Sequence, residues 1–131
     1  MPSKTIFKAY DIRGEYGKDL NKDAVKKIAR SLMKIFGAHP TLVIGHDTRE
    51  SSPEIYKTVI VHAPYARFIK AGLMTTPMMY FLVNTRNADG GIMITASHNP
   101  KTYNGLKIVA RRAIPISGKI IRKAVASVLE K

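Results

Sequence analysis

Gly91-Ile92-Met93-Ile94-Thr95-Ala96-Ser97-His98-Asn99-Pro100 is the stretch that orients everything else in this chain. The apolar run Gly91 to Ile94 predicts a buried strand over 91–95. A polar loop follows at once, with a serine, a histidine and an asparagine ahead of the chain-stiffening Pro100. A serine presented at a strand end can act as a nucleophile or carry a phosphoryl group. The same residues also make an Asx/ST turn, in which Ser97 and Asn99 bond local amides and Pro100 holds Asn99 extended.

Working outward, residues 23–36 carry Val25, Ile28, Ala29, Leu32, Met33 and Phe36 at helical spacing, with Asn21 as N-cap and Gly37 just past the end. A strand is predicted over 41–44, ended by Gly45. Ser52 as N-cap and Pro53 at the first helical position start a helix over 53–62, which Pro64 stops. A third strand is predicted over 67–70. Thr76 and Pro77 repeat the cap-plus-proline start for a helix over 78–83, and Met78, Met79, Tyr80 and Phe81 are expected in the core. Asn104-Gly105 signals a turn, a strand is expected over 106–109, and a last helix over 119–129. Strands alternating with helices predict an α/β, three-layer domain with a mixed, largely parallel sheet flanked by helices. Residues 1–131 read as a single domain, without internal repeats.

A chain of 131 residues can bury enough surface to fold without staples. It has no cysteine, which excludes disulfides, thiolate zinc sites and thiol catalysis. No signal-peptide core and no apolar run of spanning length is present, so a cytoplasmic protein is expected, not a membrane one. The formal charge of +13 favours anionic partners. The basic residues are scattered over helix faces such as Lys26, Lys27, Arg30 and Lys34, with no like-charge block. Solvated faces, a phosphorylated ligand and nucleic acid all remain open as explanations. Missing nucleic-acid motifs and sparse aromatics weigh against the last.

In open α/β sheets, ligands gather beyond the carboxyl ends of the strands. Two polar clusters belong there: His46-Asp47-Thr48-Arg49 after the second strand, and Ser97-His98-Asn99. Parallel strands would place both on one rim. Near the N-terminus, Ala9-Tyr10-Asp11-Ile12-Arg13-Gly14 gathers a phenol, a carboxylate and a guanidinium; arginine is well shaped for phosphate. Its alternative is a strand-to-loop transition with Asp11 and Arg13 solvated or paired together. The four histidines show no metal-ligand spacing, and no Walker loop, Gly-x-Gly-x-x-Gly fingerprint or Gly-x-Ser-x-Gly elbow occurs.

Taken in order, five stretches resemble the N-terminal domain of the α-D-phosphohexomutases, the phosphomannomutase/phosphoglucomutase family. They are Phe7-Lys8-Ala9-Tyr10-Asp11-Ile12-Arg13-Gly14, Ile44-Gly45-His46-Asp47-Thr48-Arg49-Glu50-Ser51-Ser52-Pro53-Glu54, Thr75-Thr76-Pro77, Gly90 through Pro100, and Tyr103-Asn104-Gly105-Leu106-Lys107. The resemblance implies that Ser97 is a phosphoserine carrier serving hexose phosphates through a hexose bisphosphate intermediate. It implies Mg2+ held in part by the phosphate on Ser97. It further implies Tyr10, Arg13 and Asn99 near the transferred phosphate, and His98 and Lys107 as acid–base or electrostatic neighbours.

The chain departs from the family pattern in several places. His46 stands where the family commonly has arginine, and the segment from His62 to Arg67 is short and carries Pro64. The family's Asp-Gly-Asp-x-Asp-Arg metal loop, Gly-Glu-x-Ser-Gly sugar loop and Arg-x-Ser-Gly-Thr-Glu phosphate loop, which belong to domains 2–4, do not occur. The chain alone is therefore expected to show little or no mutase turnover, and a partner chain supplying domains 2–4 is one expectation. The alternative is a stand-alone truncated remnant, or a basic module that binds a phosphate ligand or nucleic acid.

Overall fold

The computed structural model describes residues 1–129. Asn21 caps α1 (Lys22–Ser31), its side-chain oxygen accepting from the Ala24 amide at 2.8 Å. The single helix expected over 23–36 is broken at Leu32, and α2 (Met33–Phe36) finishes the run. Gly37 ends it at φ 92°, a left-handed conformation that suits glycine. β2 (Thr41–His46) runs through Gly45 rather than stopping there. α3 (Ser52–His62) ends two residues before Pro64, as predicted from the missing proline amide. β3 (Arg67–Leu73), α4 (Thr76–Thr85), β4 (Gly90–Ile94), β5 (Tyr103–Ala110) and α5 (Gly118–Leu129) follow in order. Short β1 (Ile12–Glu15) precedes them all.

The sheet order is β1-β5-β4-β2-β3. β2 pairs in parallel with both β3 and β4, while β5 pairs antiparallel with β4 and β1. Four of the five strands therefore point the same way and β5 alone opposes them. The sheet is mixed, and the α/β three-layer expectation stands. One layer holds α1, α3 and α5 over a core that includes Ile28, Leu42, Ile55, Ile94, Leu106 and Val125. The other holds α4, which closes a smaller core of Val43, Met79, Val83, Met93 and Val109. Among the described residues no helix is long and apolar enough to cross a membrane.

Several local expectations are corrected. Thr75, not Thr76, caps α4 and accepts from the Met78 amide. Ser51 precedes α3 without a side-chain cap bond, and Ser52 lies buried inside the helix with its hydroxyl turned to tertiary partners. Of the Met78–Phe81 cluster only Met79 is fully buried; Met78 and Phe81 are more than half exposed because α4 covers its side of the sheet alone. Asn104 and Gly105 form no turn. They lie inside β5, where Gly105 is opposite Arg13. A Cβ at Gly105 would come within 2.1 Å of the Ile12 carbonyl oxygen, so glycine is there for close strand approach, not for a turn.

Two predictions follow from this packing. Gly105→Ala should strip β1 from the sheet edge and destabilise the chain by roughly 1–3 kcal/mol, as overpacking does; urea denaturation reads it. The Tyr65 hydroxyl donates to the Ala29 carbonyl at 2.5 Å, and burial pushes that phenol up to about 12 from 10.0. A raised phenol pKa favours the neutral form in the folded state. Its contribution is whole below pH 10 and lost as pH climbs towards 12. Tyr65→Phe should cost about 1 kcal/mol at neutral pH, and its difference from the parent chain should shrink over that alkaline window.

Candidate functional site

β2 and β4 are neighbours, and His46 pairs with Ile94 at their carboxyl ends. The two polar clusters read from the sequence thus leave the sheet side by side. The Ser97 loop rises from β4 and returns into β5 at Tyr103. Its backbone does turn, with the Asn99 amide donating to the Ala96 carbonyl at 3.0 Å. Ser97 itself sits at φ 52°. A non-glycine residue in this left-handed region carries a cost of roughly 1–2 kcal/mol, which neighbouring contacts must offset.

Arg49 supplies those contacts. One terminal nitrogen donates to the carbonyls of Pro100 at 2.6 Å and Tyr103 at 3.1 Å. The other donates to those of Ser97 at 2.9 Å and Asn99 at 2.8 Å. Its Nε faces the Asp47 carboxylate at 3.4 Å. Every N–H of the guanidinium fork is directed at an acceptor, which lysine could not reproduce with one ammonium point. The Arg49 side chain is only 13% exposed, although its bonds to the Pro100 and Ser97 carbonyls reach the surface.

A buried polar chain fixes the clamp. The Asn104 amide group donates to the hydroxyls of Ser51 at 2.8 Å and Ser52 at 2.9 Å. Ser52 donates to Asp47 Oδ1 at 2.5 Å, and the Arg49 amide donates to the same oxygen at 3.1 Å. Asn104 is fully buried and its oxygen accepts from the Gly105 amide. Beside this, the His46 and Tyr56 rings meet edge to face at 5.0 Å, and His46 Nδ1 lies 2.8 Å from the Asp47 carbonyl.

The sequence-predicted residues gather unevenly. Ser97 lies between two open clefts. One, of about 590 Å³, is shared with His98, Thr48 and Thr95; the other, of about 480 Å³, is shared with Asn99, Arg49 and Lys101. Ser97 and His98 are exposed, and the Ser97 hydroxyl has no hydrogen-bond partner among the described residues. The Asn99 side chain does not bond local amides as an Asx turn would; its oxygen accepts from Arg13 Nη1 at 2.8 Å. Arg13 also pairs with Asp11 at 2.7 Å, while Arg13 Nε and Asp11 Oδ1 are buried without partners among the described residues. Lys107 lines neither cleft. It pairs across the sheet with Met93, which lines the larger one, and its ammonium lies 5.9 Å from the Tyr80 ring centroid. Tyr10 is 67% exposed and lines neither cleft.

Sequence reasoning placed Arg49 on this rim but gave it no task, and it read Asn104 as a turn. The available signal for Arg49 was its position three residues past a strand parallel to the serine-bearing one. Arg49→Lys should loosen the loop and cost about 2–4 kcal/mol, the range for breaking a buried charged hydrogen-bond network. Amide hydrogen exchange should accelerate at Thr95 and Asn99 more than at Val43 in the core of β2; equal acceleration at all three would show no local clamp.

The phosphoglucomutase/phosphomannomutase alpha/beta/alpha domain I family matches residues 4–131. A phosphohexose mutase of Xanthomonas campestris pv. campestris (strain B100) is 42% identical over 113 residues, covering 85% of this chain and 25% of that protein. A phosphomannomutase of Klebsiella pneumoniae is 41% identical over 120 residues, covering 90% of this chain and 76% of that protein. A crystal structure of a phosphoglucomutase/phosphomannomutase family protein from Burkholderia thailandensis superposes with a TM-score of 0.84 at 31% identity. That match covers 99% of this chain and 31% of the other. The chain spans about a quarter of the length of most of the curated relatives it matches. With its mixed sheet, three layers and clamped serine loop, the chain belongs to the phosphoglucomutase/phosphomannomutase family, of which it forms domain I.

Proposed function

We propose that this domain carries the phosphoserine of a phosphomannomutase/phosphoglucomutase, an isomerase that interconverts hexose 1-phosphate and 6-phosphate. The observation that carries this reading is Ser97, exposed and left-handed on a loop that Arg49 holds rigidly by four carbonyls. A phosphoryl carrier has to face substrate and stay in register, and this loop meets both needs.

The chemistry balances over two transfers. In the first, the bond between phosphorus and Ser97 Oγ breaks as phosphorus bonds to a free sugar hydroxyl, whose proton passes by way of a base to Ser97 Oγ. The sugar now holds two phosphates. After the bisphosphate reorients, Ser97 Oγ gives up its proton and attacks the other phosphate, whose bond to the sugar oxygen breaks. Phosphoserine is restored, and the sugar oxygen takes a proton back. His98, which lines a cleft with Ser97, and Lys107, next to that cleft through Met93, are the proposed proton and charge partners. Arg13, whose unpartnered Nε leaves a donor over, and Asn99 are proposed to hold phosphate oxygens, with Tyr10 at the outer edge.

Magnesium belongs to this reading only through a phosphate on Ser97. Among the described residues no three His, Cys, Asp or Glu side chains gather as a metal site. Asp47, which lines both clefts, is committed to Arg49 and Ser52. The described residues therefore do not fit a magnesium site by themselves, and no step above runs through the ion. Domains 2–4 would have to supply the remaining ligands, the sugar contacts and the second phosphate anchor. A cytoplasmic setting goes with this reading.

Incubation with glucose 1,6-bisphosphate, Mg2+ and a chain bearing the remaining domains should add ~80 Da to the intact mass of this chain, one phosphoryl group. Ser97→Ala should abolish the addition, and peptide mapping should place it on Ser97. Mass gain that survives Ser97→Ala would overturn the assignment. Mannose 1-phosphate turnover should stay near background until a chain bearing the remaining domains is added.

A further inference from the structure

The opposite rim of the sheet holds a second, unassigned basic cleft. It occupies about 430 Å³ where β2 and β3 begin, α4 ends and β5 ends. Its lining includes Thr41, Arg67, Arg86, Asn87, Asp89 and Arg111. β2 separates it from the Ser97 rim by roughly 17 Å, at about 3.3 Å per residue, so the two sites are distinct.

The charges in this cleft are unbalanced. Asp89 is its one carboxylate, and both of its oxygens are committed: Oδ2 accepts from the Thr41 amide at 2.8 Å, and Oδ1 pairs with Arg111 at 2.5 Å. Arg111 also points its other terminal nitrogen at the Asn87 oxygen, 3.5 Å away. The guanidiniums of Arg67 and Arg86 have no acceptor among the described residues, and both are exposed. A cation at the end of α4 answers the helix dipole, which accounts for Arg86. Arg67 begins the edge strand β3, where a charge also guards the open edge, yet its guanidinium faces the same cleft. The backbone at this rim turns in ordinary ways: Asn87, at φ 49°, is the left-handed residue just past α4, where asparagine commonly ends a helix, and the Ala88 amide closes the motif on the Val83 carbonyl at 3.0 Å.

We propose that this cleft binds a small phosphate-bearing dianion, gripped by Arg67 and Arg86 with Arg111 preset by Asp89. Two free guanidiniums match a dianion in charge, and their planar forks match phosphate oxygens in shape. Free phosphate and a phosphate monoester share this chemistry, and the test separates them.

The 131-residue chain, labelled with nitrogen-15, is titrated with inorganic phosphate and, separately, with glycerol 3-phosphate. Saturable amide shifts at Asn87, Asp89 and Arg111 are expected with a Kd of about 1 mM, a plausible strength for two charged contacts. The anion with the lower Kd identifies the source. Arg67→Gln combined with Arg86→Gln should weaken binding at least tenfold while leaving the spectrum of the core intact. Both side chains are exposed and the Asp89–Arg111 pair is untouched, so the fold should hold. Shifts at the Ser97 loop are read separately and bear only on the catalytic proposal. The inference is overturned if neither anion saturates these amides, if the double variant binds as the parent does, or if Lys26, Lys27 and Arg30 respond equally. It is also overturned if hexaglutamate saturates the cleft while both phosphates are silent.

Discussion

The Arg49 guanidinium is the contact on which the functional rim depends. It ties the Ser97 loop to the end of β2 through four backbone carbonyls and is itself held by Asp47. Without it, the Ser97 and Asn99 carbonyls would turn to water, the Pro100 carbonyl would keep only the Tyr103 amide, and the left-handed Ser97 would have little to oppose relaxation. The clamp works because strand order makes it short. β2 and β4 are direct neighbours with ends in register, so a side chain three residues past one strand reaches the loop that leaves the other.

That arrangement extends downward into the core. Asn104 of β5 reaches Ser51 and Ser52 at the start of α3, and Ser52 passes the constraint to Asp47. A helix, two loops and a central strand are thus joined by polar contacts, several of them buried. Networks of this kind are costly when incomplete and specific when complete. Here the unpartnered groups, Arg13 Nε and Asp11 Oδ1, lie at the margin next to Asn99 rather than within the network.

The excess positive charge also acquires a distribution. Some of it sits on α1, where Lys27 pairs with Asp23 across one turn. Some stands unpaired at the rim opposite Ser97. Exposed pairs such as Lys27–Asp23 contribute little to stability. The net charge acts instead as a long-range field that attracts anions.

The order of the elements from α1 to α5, the caps at Asn21 and Gly37, the stop before Pro64 and the placement of both polar clusters at strand ends were legible from local chemistry; β1 was not, because Ile12–Glu15 holds a single apolar residue and shows no alternation. Spacing, capping and proline geometry act within a few residues, so a linear sequence records them. The resemblance to the family rested on such short stretches too. Asn104-Gly105 misled because the same dipeptide serves a turn by backbone freedom and a strand by lack of a side chain; the Ile12 carbonyl decides which. Met78 and Phe81 misled because an apolar side chain is buried only where a neighbour covers it, and α4 has none on its outer face. The serine, its loop and its chemical type were determined by the sequence alone. That Arg49 clamps the loop, that Asn99 turns to Arg13, and that Arg67, Arg86 and Arg111 converge were decided only in the tertiary structure, because each joins residues brought together by strand pairing across distances no local spacing encodes.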